Sequence, residues 1–135
     1  MFKALSPDGI RPPFARYSHG IEVPPGYRLA VLSGQLGVGV DDTAPEDARA
    51  QAEICFDNID AILAGADMTR GHVVRINAYV TDRAHMAGYM AARDVWIEGL
   101  EQPPASTLMI VSGFTRPEFK VEIEVLAAAP AGHSG

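Results

Sequence analysis

A single cysteine, Cys55, is all the thiol chemistry the sequence holds. An internal disulfide is excluded, and its place among apolar helical positions marks it as a small buried hydrophobe rather than a nucleophile. Long apolar runs are missing too. No segment approaches the ~18 uninterrupted apolar residues of a membrane helix, so no membrane partner is expected. The first eight residues, from Met1 to Asp8, carry no apolar core behind Lys3, which argues against a secretory signal and for a soluble, cytoplasmic protein. Basic residues are scarce and scattered: eleven Lys and Arg face seventeen Asp and Glu, a net charge of −6 that disfavours nucleic acid as a partner. His19, His72, His85 and His133 show neither HxxxH nor HxH spacing and no cysteine partner, so no metal is expected. No cofactor is expected either. The glycines between Gly34 and Val40 lack both a Gly-Lys-Ser/Thr ending and GxGxxG spacing, which leaves them a bulge or a close backbone approach to a ligand. Ser33, in Ser-Gly-Gln, lacks the GxSxG elbow of a serine hydrolase.

What is present is a chain of 135 residues, 47 % of them hydrophobic, which fits one domain over residues 1–135. Pro7, Gly9, Pro12 and Pro13 make residues 1–14 an extended arm. Strand-like runs over 17–23 and 27–33, split by Pro24-Pro25-Gly26, read as a β-hairpin. Thr43 and Glu46 offer a capping box for a first helix, whose stripe is Ala48, Ala52, Cys55, Ile59, Ile62 and Ala66. Residues 72–81 alternate Val74, Ile76, Ala78 and Val80 with Arg75, Asn77 and Tyr79, as a strand does. Asp82 can cap a second helix with apolar positions from Met86 to Leu100, stopped by Pro103-Pro104. A strand over 105–111 and a last one from Phe119 complete a β-β-α-β-α-β-β order. Its economical form is an α+β domain, one mixed sheet with two helices on one face.

The last strand carries the first candidates for chemistry. In Val121-Glu122-Ile123-Glu124-Val125 the two carboxylates share a face roughly 7 Å apart, either as plain solvated charges or as the lining of a cleft or interface. With both helices on one side, the face bearing Arg75, Tyr79, Glu122, Glu124 and Leu126 stays partly bare, and self-association is the usual remedy, so a homo-oligomer is expected.

Several segments in register carry a resemblance: 15–20 (Ala-Arg-Tyr-Ser-His-Gly), Ser33-Gly34-Gln35, 58–63 (Asn-Ile-Asp-Ala-Ile-Leu), the strand ending Val80-Thr81-Asp82, Pro104-Ala105-Ser106, and Val121 to Glu124. Over about residues 10–128 the chain resembles the reactive-intermediate deaminase (Rid) family, also called YjgF or L-PSP endoribonuclease. The resemblance implies a chorismate-mutase-like α+β fold and a homotrimer with ligand pockets between subunits. It also implies hydrolysis of enamines or imines to a keto acid and ammonia without metal or cofactor. Active deaminases place an arginine after Pro-Ala to grip the substrate carboxylate bidentately, and here that position is Ser106. An asparagine of the second helix is replaced by Met90. The chain thus resembles a branch lacking the anchoring arginine.

The resemblance carries Glu122 over as the catalytic residue and Tyr17, Ser33, Gly34, Ser106 and Thr107 as the substrate-binding ones. Ser106 and Thr107 can hydrogen-bond a neutral or hydroxylated ligand but cannot neutralise a carboxylate, so simple 2-imino acids are expected to bind poorly. Arg75 and Arg16 are alternative cations, with an ion pair as the competing role of Arg75. Three functions remain: a hydrolase or deaminase of small imines, a non-catalytic small-molecule-binding trimer, and an endoribonuclease, the last disfavoured by the acidic balance.

Overall fold

A computed structural model of the chain describes residues 2–132; His133 lies outside them. Seven strands and two helices follow in the order β1 (Lys3–Leu5), β2 (Gly20–Glu22), β3 (Tyr27–Val31), β4 (Gln35–Leu36), α1 (Ala48–Ala64), β5 (Val73–Val80), α2 (Met86–Trp96), β6 (Ala105–Ile110) and β7 (Val121–Pro130). The main sheet runs β3-β7-β5-β6, with β4 also on β7. β7 is therefore central. It pairs antiparallel with β3, β4 and β5, whereas β5 and β6 run parallel across the α2 crossover, which makes the sheet mixed.

Alternation sorts the sheet into two faces. Ile76, Ala78 and Val80 of β5 stand opposite Val125, Ile123 and Val121 of β7, and all are buried beneath the helices. Ala52, Cys55, Phe56, Ile59 and Leu63 of α1, with Tyr89, Ala92 and Trp96 of α2, close that core. The other face, bearing Glu122, Glu124, Leu126, Arg75, Asn77, Tyr79, Thr107, Met109, Leu29 and Val31, has no helical layer over it among the described residues. Val31 and Leu29 there are 71 % and 64 % exposed.

Four sequence expectations change. The hairpin over 17–33 is absent: Gly20–Glu22 pairs with Lys3–Leu5, and Tyr27–Val31 pairs with β7. Pro24 and Pro25 supply no N–H donors to tie those two runs together. The N-terminal arm in turn holds a strand, since residues 3–5 precede its first proline. Helix α1 starts at Ala48 rather than near Thr43; Asp47 is its N-cap, accepting from the Ala50 N–H at 3.1 Å. Thr43 instead donates its hydroxyl to Asp41 Oδ1 at 2.8 Å, and the residue before Pro45 is held out of helical conformation. Asp82 caps a 3₁₀ turn over Arg83–His85, which feeds α2, and the helix stops at Trp96 ahead of Gly99, whose φ of 82° no helix continues.

Candidate functional site

Glu122 lies on the open face of β7, directly across from Tyr79 of β5. Its other flank is the chain leading into β4. A Cβ placed on Gly34 would stand 2.7 Å from Glu122 Cδ, so only glycine lets this backbone approach the carboxylate. Ser33, next to it, accepts at its carbonyl from Gln35 Nε2 at 3.1 Å. Beneath the strand, Cys55 Sγ donates to the Gln35 carbonyl at 3.1 Å. Burial first, then the charge of Glu122, pushes that thiol up to about 12, so it stays protonated as a packing group.

The two carboxylates of β7 have different surroundings. Glu124 accepts from the Tyr79 hydroxyl at 2.6 Å and from Asn77 Nδ2 at 3.4 Å. That bond, ahead of desolvation, raises the Tyr79 phenol. Glu122 has no hydrogen-bond partner among the described residues, and desolvation first, then the charge of Glu124, raises its pKa above the ordinary 4.5. The folded chain therefore holds this proton longer than the unfolded one. As pH rises from the unfolded value through the raised folded value, the native state loses stability, and it loses no more beyond that. Melting temperatures of wild type and Glu122→Gln, taken from pH 4 to pH 7, should diverge in favour of the variant as pH rises through this window.

The remaining sequence candidates sit at the far edge. Tyr17 precedes Ser18, which forms a parallel bridge to Ala105 at the start of β6; the Ser18 hydroxyl donates to the Pro103 carbonyl at 2.5 Å. The Tyr17 hydroxyl accepts from the Phe14 N–H at 3.2 Å, and its ring meets His19 edge-on. Thr107, on the open face, accepts from Arg75 Nη2 at 2.5 Å, and Arg75 Nε donates to Asn77 Oδ1 at 2.8 Å. Ser106 stands opposite buried Ile76 and so points to the helix side, beside the buried Tyr89 hydroxyl, whose pKa burial pushes up to about 12. Met90 packs against the core. The structure thus brings together Ser33, Gly34 and Glu122, while Tyr17 and Thr107 stand towards the β6 edge and Ser106 turns to the helix side. Glu122 and Ser18 stand three strand spacings apart, roughly 14 Å across the sheet, and are offset by four residues, roughly 13 Å, along it.

One important residue escaped the sequence reading. Gln51 is fully buried, donates Nε2 to the Pro45 and Glu118 carbonyls at 2.8 and 2.9 Å, and accepts from the Lys120 N–H at 2.8 Å. It ties the start of α1 to the entry of β7 and so sets where Glu122 begins. Its place in the series 51, 55, 59 was the available signal. Among the described residues no group of three or more His, Cys, Asp or Glu could hold a metal ion, and no helix is long and apolar enough to cross a membrane.

A mixed sheet backed by two helices is also the fold of solved structures similar to this chain. The family described as Endoribonuclease L-PSP matches residues 9–129, and the chain belongs to that family, the Rid/YjgF group. Protein DfrA of Myxococcus xanthus is 30 % identical over 129 residues, covering 94 % of this chain and 95 % of its own. The RutC family protein YjgH of Escherichia coli is 28 % identical over 127 residues, covering 94 % and 95 %. The crystal structure of YyfB from Yersinia pestis, described as a protein of unknown function of the conserved Rid family, superposes with a TM-score of 0.83 at 27 % identity, covering 95 % of this chain and 98 % of that one.

Proposed function

We propose that the chain is a cytoplasmic, homotrimeric hydrolase that deaminates a small enamine or imine in a pocket between copies. The single observation that carries this is Glu122: a carboxylate without a hydrogen-bond partner among the described residues, its pKa raised by desolvation, on the uncovered face of a central strand. A carboxylate more basic than usual is better suited to take a proton from water. Glu122 takes a proton from water as its oxygen attacks the imine carbon. The carbinolamine then collapses with cleavage of the C–N bond; the nitrogen leaves as ammonia carrying that proton and the one from the carbinolamine hydroxyl, and a carbonyl compound remains. Ser33 and Gly34 border the reacting end. Tyr17 and Thr107 border the binding end and come from the neighbouring copy, since one chain holds Ser18 and Glu122 roughly 14 Å apart across the sheet and roughly 13 Å along it.

Ser106 in place of an arginine favours a second reading, a trimer that binds a small molecule and leaves it unchanged. The two separate on one assay: release of ammonia and keto compound from freshly generated imines of increasing size. Turnover of an imine above the uncatalysed rate supports the hydrolase. A ligand bound in the pocket and recovered intact, with no imine turned over, supports the binding protein. Ribonuclease activity, which the family's name carries, would need cleavage that survives stringent purification and is lost on pocket mutation.

A further inference from the structure

Every arginine that pairs with a carboxylate in this chain does so at close range: Arg49 with Glu53, Arg70 with Asp60, Arg93 with Asp94, and Arg116 with Asp42 and Glu118. Arg75 does not. Among the described residues no carboxylate lies within ion-pair distance of it, and the groups that hold it, Asn77 Oδ1 and Thr107 Oγ1, are neutral. Neutral acceptors fix a guanidinium in place without cancelling its charge. They also occupy only two of its five N–H donors, so three are uncommitted in these bonds. Asn77 stands between Arg75 and Glu124, accepting from one and donating to the other, which keeps the two charges from pairing directly.

The placement matters as much as the charge. Arg75 is on β5, level with Ala105 of β6, on the open face, and its hydrogen bond ends on Thr107. Ser106 points away from that face. Arg75 comes from the strand beside β6 and reaches the binding end at Thr107. We propose that Arg75 is a specificity-determining residue that binds a carboxylate of the ligand next to Thr107. This rests on the reading of the site given above, and it narrows the substrate class to small anionic imines or enamines. Their carboxylate meets the open sheet face rather than position 106, so its direction relative to the reacting carbon differs from that of a ligand gripped at 106.

Binding can be tested without turnover. Butyrate, and butyramide as its neutral isostere, would be titrated calorimetrically into wild type, Arg75→Gln, Arg75→Lys and Asp57→Asn, with the size of each assembly followed by light scattering. Wild type and Asp57→Asn, changed on the exposed side of α1, are expected to bind butyrate alike, Arg75→Gln about tenfold or more weakly, and Arg75→Lys in between, because an ammonium keeps the charge and loses the fork. Butyramide should bind all four equally. Equal butyrate affinity in Arg75→Gln, or no saturable butyrate binding by wild type, overturns the proposal. So does loss of binding together with dissociation of the assembly, which would assign Arg75 to a contact between copies. Butyrate binding that depends on Arg75 in a protein that turns over no imine would remove the hydrolase reading and leave the anchor standing.

Discussion

Glu122→Gln is expected to lower ammonia release from any imine the wild type hydrolyses by about 10²- to 10⁴-fold, the usual contribution of a positioned general base. Glutamine keeps the shape and the polar head but cannot take a proton from water. Nothing in the core depends on the charge: Glu122 stands on the open face, with Val121 and Ile123 beside it fully buried toward the helices. The variant should therefore fold and assemble as wild type does. Steady-state rates across pH would complete the test, because the wild-type rate should rise with deprotonation of a carboxylate titrating above 4.5 and the residual rate of the variant should lack that limb. Turnover unchanged in Glu122→Gln would sink the mechanism. A mixture of Glu122→Gln copies with copies impaired at Tyr17, refolded together, should recover part of the activity if the pocket is shared.

The second large effect is on stability. Gln51→Leu should destabilise the fold by about 4 kcal/mol, measured as a shift in urea midpoint with the slope unchanged. Leucine fills the space but leaves the Pro45 and Glu118 carbonyls and the Lys120 N–H without partners, and each buried unpaired group costs about 1–3 kcal/mol. The site has no slack to absorb the change: a Cβ on Gly37 would already lie 2.3 Å from Gln51 Cβ. Against the 5–15 kcal/mol typical of a native domain, the loss leaves little margin. Asp57→Asn on the exposed side of the same helix should stay within about 0.5 kcal/mol of wild type.

Much of this architecture was legible in the sequence because period speaks directly of burial. The alternation in β5 and β7 named both the core residues and the open face. The α1 stripe located the helix despite the misplaced start, and only Ile62, 42 % exposed, falls outside its buried side. What escaped depended on partners distant in sequence. The hairpin looked convincing because adjacent runs are read as neighbours, yet the partner of Gly20–Glu22 lies before the prolines and that of Tyr27–Val31 lies some hundred residues later. Gln51 was passed over because its residue type suggests surface, although its position did not. In the site, Glu122 and Gly34 were both legible, but their contact was not. Ser106 and Thr107 looked equivalent as neighbours in sequence, whereas a strand sends them to opposite faces.

The strand β7 carries two interleaved messages. Odd positions from Val121 to Ala129 specify how the sheet seats on its helices, while Glu122, Glu124 and Leu126 specify what meets the outside. Because neither set touches the other's surroundings, open-face positions can be rewritten with small consequence for packing, and ligand preference can drift while the scaffold holds still. The register shift between Val73 and Arg75 keeps β5 in phase with this scheme: Val73 and Val74 are both buried, and the alternation resumes with Arg75 outward. Val74 is the extra residue of that shift, so its loss would leave Val73 opposite Ala127 and Arg75 opposite Leu126 in an unbroken ladder, whereas one residue lost between Ile76 and Val80 would turn every later position of the strand to the other face.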